Sequence, residues 1–128
     1  MSKKSNTIVF VTDIESATLN NENYREVLFT TDKMQLVLMS LLPQEDIEFE
    51  IHQVDQFIRI ESGQGVALIG IDKKIQYNLE DGSIIMIPAN TYHQIINTSK
   101  TQYLKLYTIY SPPNHPYDRV DVTRPDND

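Results

Sequence analysis

The side chains most capable of chemistry lie together in Glu48-Phe49-Glu50-Ile51-His52. Side chains on a strand alternate between its two faces. That alternation puts Ile47, Phe49 and Ile51 on one face and Glu48, Glu50 and His52 on the other. Glu50 and His52 then project side by side, about 7 Å apart at their Cα atoms, and two donors at that spacing can close on one ion. The competing reading is a half-exposed strand whose polar face meets water. The chain has no cysteine. Disulfides, zinc–thiolate sites and thiol nucleophiles are therefore excluded, and any metal is held by nitrogen and oxygen donors.

The elements that must position these residues are strands. The chain has 128 residues, a length for one domain. Extended runs are expected at Thr7–Val11, Glu26–Thr30, Met34–Leu42, Ile47–His52, Phe57–Glu61, Val66–Ile71, Ile75–Leu79, Ser83–Ile87, Tyr92–Asn97 and Tyr103–Tyr110. Turn signals such as Gly63-Gln64-Gly65 and Asp81-Gly82 separate several of them. Asp13 to Arg25 reads as a loop or a short helical turn, and Met1 to Asn6 as a mobile tail. No ten-residue stretch shows helical periodicity. The pattern is that of an all-β sandwich or barrel. It divides into an N-terminal segment with a first strand (1–14), a barrel (15–111) and a C-terminal tail (112–128). Pro112, Pro113, Pro116 and Pro125 make that tail extended, lying across the domain.

The formal net charge is −7. Phosphate backbones require clustered Lys and Arg, so a nucleic-acid surface is not expected. No apolar run approaches the ~18 residues of a membrane span, and Ile8-Val9-Phe10-Val11 is too short for a signal-peptide core. The expected setting is the cytoplasm.

One stretch carries a resemblance. Gly82-Ser83-Ile84-Ile85-Met86-Ile87-Pro88-Ala89-Asn90-Thr91-Tyr92-His93-Gln94-Ile95-Ile96-Asn97 is similar to the second motif of the cupin superfamily, G-x5-P-x-G-x2-H-x3-N. Asn90 replaces the second Gly, and Asn tolerates the left-handed conformation that such a turn needs. The first motif, G-x5-H-x-H-x3,4-E-x6-G, is modified. Counting back from Gly63, Gln56 takes the Glu position, His52 the second His and Glu50 the first His. No Gly opens the motif.

The resemblance covers roughly residues 15–116. It looks like a group of small single-domain cupins with an RmlC-like jelly roll, loosely labelled mannose-6-phosphate isomerase-like. It implies a double-stranded β-helix and a metal site of Glu50, His52, Gln56 and His93. Those donors suit a divalent transition ion: Mn, Fe, Ni or Zn. Gln56 either binds directly or hydrogen-bonds a bound water. The alternative is a buried hydrogen-bonded polar cluster without metal.

Three functions fit. One is a metal-dependent protein acting on or binding a small polar molecule such as a sugar or sugar phosphate, with Glu48 the nearest carboxylate to serve an isomerase as base. The others are an Fe(II) dioxygenase-type cupin and a non-catalytic ligand-binding module. Which of these metals is bound, whether any residue is catalytic, and the substrate stay open, because fold does not imply function.

The remaining polar residues have plainer expectations. Arg59 lies on the opposite face from Gln56, outside the barrel, for an ion pair with Glu61 or a subunit contact. His115 reads as a solvated tail histidine, the alternative being a tail folded back so that His115 borders a pocket. Tyr92 and Gln94 point away from His93. Leu104, Leu106, Thr108 and Tyr110 share one face of the last strand. The apolar run Met34–Leu42 is covered on both faces, and the resemblance implies a homodimer.

Overall fold

The structure is a computed structural model, and it describes residues 8–125. The expected N-terminal tail, Met1 to Asn6, lies outside the described residues. A short helix, α1 (Ile14–Asn20), comes first. Asp13 caps it by accepting a hydrogen bond from the Ser16 amide at 3.1 Å, which satisfies one of the free donors of the first turn.

Among the described residues ten strands follow: β1 (Arg25–Thr30), β2 (Gln35–Leu41), β3 (Asp46–Glu50), β4 (Asp55–Ser62), β5 (Gly65–Ile69), β6 (Ile75–Leu79), β7 (Ile84–Ile87), β8 (His93–Asn97), β9 (Leu104–Ser111) and β10 (Val120–Asp121). They form a six-stranded sheet in the order β10-β1-β2-β9-β4-β7 and a four-stranded sheet in the order β3-β8-β5-β6. Every pairing is antiparallel. The architecture is the all-β double-stranded β-helix that the resemblance implies.

The core lies between the two sheets. Val37, Met39, Leu41, Ile58, Ile60, Leu104 and Leu106 from one sheet meet Ile47, Ala67 and Ile95 from the other. Alternation on β9 holds as expected: Leu104, Leu106, Thr108 and Tyr110 are all buried. β2 is nearly continuous in burial, because its outer face is also covered, in part by α1.

Two expectations are corrected at the ends of the chain. Residues 8–11 form no strand. Phe10 instead stacks on Phe29 with ring centroids 4.9 Å apart, while Val9 and Val11 stay exposed. The C-terminal stretch also adds a strand that its proline content hid. β10 pairs with β1, held by an ion pair of 2.6 Å between Arg25 and Asp121. Beyond it, Arg124 reaches the other sheet, with its guanidinium 3.1 Å from both Asp46 and Glu48.

Candidate metal centre

His93 opens β8 and points into the barrel, 2% exposed. Its Nδ1 lies 2.9 Å from the Thr91 carbonyl. A carbonyl only accepts, so Nδ1 carries the proton and Nε2 presents a bare lone pair. Burial above all holds the His93 imidazole below the ordinary range. The Thr91 carbonyl and Glu50 act against that shift, and His52 adds to it.

Glu50 reaches the same space through an irregularity in β3. Ile47 pairs with Ile95, yet Glu50 pairs with His93, so β3 has three steps where β8 has two. This is a β-bulge. It overturns the expected strict alternation. Ile47 faces the core, while Phe49 stacks outside on Tyr92 at 5.3 Å and Ile51 is 41% exposed. Glu48 does not accompany Glu50; Arg124 holds it. The role of Glu48 as a nearby base therefore loses its footing.

His52 lies just past the end of β3 and is not a strand residue. Its carbonyl accepts a 2.7 Å hydrogen bond from the Asn90 amide. Asn90 has φ 65°, the left-handed value expected of the residue standing in the motif's Gly position. The turn before β8 thus pins the second histidine as well as carrying the first.

Glu50, His52 and His93 converge. Each offers one donor atom, and the three atoms lie within 4.8 Å of one another. Glu50 Oε2 is 3.1 Å from His52 Nε2 and 3.8 Å from His93 Nε2. The two imidazole rings are tilted, with centroids 5.4 Å apart. Neither Nε2 makes a hydrogen bond, the short approach of Glu50 to His52 lacking the required geometry. A cluster of one carboxylate and two imidazoles with free nitrogens is able to hold a metal ion.

Gln56 sits on the inner face of β4 with Ile58 and Ile60, 4% exposed. Its Nε2 donates to Thr108 Oγ1 at 3.0 Å, and its Oε1 is buried without a partner. Tyr110, its cross-strand neighbour, turns an edge to His52 at 5.7 Å between centroids. Thr108 and Tyr110 were not singled out as site residues in the sequence. The parity of β9, which put both on one face with Leu104 and Leu106, was the signal that could have found them.

His115 corrects the tail expectation. It is half-buried, and its ring packs edge-on against Tyr110 at 5.3 Å. Gln35 holds it there, donating to the His115 carbonyl at 2.7 Å and accepting from the amides of Asn114 and His115. The tail folds back, and His115 stands one ring beyond His52. Arg59 is outside as expected, 3.6 Å from Glu61. A cleft of about 560 Å³ opens between β6 and β7. None of the four expected ligands lines it, although Thr91 does.

A jelly-roll barrel with a Glu–His–His cluster on its inner side defines a class of small β-barrel proteins. The family model for the cupin domain matches residues 37–110, and the chain belongs to that family. It is 55% identical over 118 residues to the uncharacterized protein L612 of Acanthamoeba polyphaga mimivirus, covering 91% of this chain. It is 48% identical over 121 residues to the uncharacterized protein YrkC of Bacillus subtilis, again 91% of this chain. The chain spans 74% and 64% of the lengths of these two relatives. The crystal structure of BH2720 from Bacillus halodurans superposes with a TM-score of 0.88 at 41% identity, covering 93% of this chain and 92% of that one. No helix among the described residues is long and apolar enough to cross a membrane.

Proposed function

We propose that this protein is a metal-binding cupin in which Glu50, His52, His93 and Gln56 hold a divalent transition ion. One observation carries the reading: His52 Nε2, His93 Nε2 and Gln56 Oε1 are buried atoms without hydrogen-bond partners. Leaving three such atoms unpaired costs about 1–3 kcal/mol each. His93 Nε2 and Gln56 Oε1 are both acceptors and cannot pair with each other, so a metal-free cluster would need a donor facing each of them. A metal ion needs these lone pairs free.

A bound divalent ion supplies Lewis acidity toward a carbonyl or hydroxyl oxygen. The chain's own part is to orient the donors. The Thr91 carbonyl fixes the His93 tautomer, the Asn90 amide holds the His52 backbone, and Thr108 holds the Gln56 amide. The ligand class that follows is a small polar molecule inside the barrel, such as a sugar or sugar phosphate. A second reading, the Fe(II) dioxygenase type, is favoured by the two-histidine, one-carboxylate composition of the cluster. It requires oxygen consumption with a substrate, and activity that persists without oxygen would remove it. The expected setting is the cytoplasm, and the expected protein partner is a second copy, packed on the outer face of the larger sheet.

Metal analysis of purified protein beside His93→Ala tests the proposal. Wild-type protein incubated with Mn, Fe, Ni or Zn should retain about one ion per chain, and the variant should lose affinity by roughly 100-fold or more. Wild-type protein that retains none of the four ions overturns the reading.

A further inference from the structure

Strand alternation puts Tyr77 on the inner face of β6. It stands cross-strand from Ala67, which is wholly buried, and shares its face with the buried Leu79. Yet Tyr77 is 54% exposed. The reason lies in the topology. β6 ends the four-stranded sheet and β7 ends the six-stranded sheet, so neither has a strand on its far side. The two sheets part at these edges, and the cleft of about 560 Å³ opens along the seam. Ile69 and Ile85 line it and are only half-buried, although both pack against the core. Inner-face apolar surface left open to water in a concave slot marks a place for a ligand.

We propose that this cleft is a ligand site of its own, for an uncharged, largely apolar small molecule that carries a hydroxyl or carbonyl group. Its size falls within the about 300–1,000 Å³ of small-molecule sites. Its two edge strands have 5 and 4 residues, too short a frame for a protein partner, which needs about 800 Å² on each side. No charged side chain lines the cleft, although 23% of the chain is charged. A carboxylate or phosphate entering it would lose water and meet no cation. The groups able to orient a ligand are all neutral: the Tyr77 and Thr91 hydroxyls and the Asn78 amide. Each can bond a ligand hydroxyl or carbonyl. Ile69 stands cross-strand from His93 and Ile87 from Gln56, so the cleft adjoins the metal centre. It shares none of the four proposed donors, and its occupancy does not require an ion.

The experiment uses N-phenyl-1-naphthylamine, an uncharged probe that fluoresces in apolar surroundings. Wild-type protein should give a saturable rise at about one probe per chain, and a chelator should not alter it. Neutral 2-naphthol should displace the probe at a concentration at least about tenfold lower than 2-naphthoate, which has a similar shape and a charge. Tyr77→Ala should weaken probe binding about tenfold or more with the urea midpoint close to that of wild type. Ile85→Trp, which fills the cleft, should abolish it. Tyr107→Ser, on the outer face of β9, should keep affinity within about threefold of wild type.

Absence of saturable binding to the wild type overturns the proposal. So does displacement by naphthoate as readily as by naphthol, and so does wild-type affinity in either cleft variant. An equal loss in Tyr107→Ser would put the probe on the outer face, and a loss on chelation would put it at the metal centre; both results also overturn the proposal. Ile85→Trp decides by itself if Tyr77→Ala does not fold. A protein that retains no metal but binds the probe as described removes the metal-binding reading and leaves this one standing.

Discussion

Glu50 stands directly across the β3–β8 ladder from His93, although Ile47 stands across from Ile95. One extra residue in β3 therefore decides which carboxylate meets the histidines. Without the bulge, a side chain that shares the inner face with Ile47 would fall at position 49, which is Phe. With it, Glu48 and Phe49 both stay outside and Glu50 turns in.

Acid should weaken the metal-free protein through His93. Burial keeps its imidazole below the ordinary value, which is about 6.5 in an unfolded chain. Above that pH the residue is neutral in both states and contributes no pH dependence. As the pH falls below it, the unfolded chain takes up the proton first, so the unfolded state gains and stability drops until the folded form also protonates. Urea midpoints from about pH 8 to about pH 5 should fall on the acid side, with a shallower fall in His93→Gln. Identical acid slopes in the two proteins would sink this account.

Gln35→Ala should release the C-terminal segment. Gln35 is fully buried, and its amide bonds Thr30, Asn114 and His115. Truncation removes those partners and should cost about 2–3 kcal/mol in chemical denaturation. Limited proteolysis should then cut between residues 113 and 119 before any cut within β4 or β9. Resistance equal to wild type would show that Gln35 does not anchor the segment.

Met86→Glu should break the proposed dimer. Met86 and Ile84, on the edge strand β7, are 71% and 53% exposed. Met86 lies cross-strand from Phe57, which in turn lies cross-strand from Ile109. An apolar strip at a sheet edge invites a partner. Sedimentation of the wild type should give a dimer at micromolar concentration and the variant a monomer with an unchanged fold. A wild-type monomer under the same conditions removes the proposal.

Much of the barrel was legible before the structure. The strands from β1 to β9 appear as short β-rich runs set off by turns, because turn chemistry and hydrophobic alternation are local properties. The left-handed turn at Asn90 was legible for the same reason. The strand expected at Thr7–Val11 failed because an apolar run does not name a pairing partner; among residues 8–11 Phe10 stacks on Phe29 and the flanking valines stay exposed. β10 was hidden because two residues between prolines have no pattern of their own; their pairing depends on Arg25, nearly a hundred positions earlier.

The sequence by itself determined the fold class and four donor residue types at spacings that belong together. Tertiary structure decided which of them meet and in what state. The bulge, not the alternation, brought Glu50 to His93, because register is a property of two strands and one strand's sequence cannot show it. The folded-back tail set His115 against Tyr110. Burial left His52 Nε2, His93 Nε2 and Gln56 Oε1 unpaired, and desolvation exists only once the two sheets have closed around them.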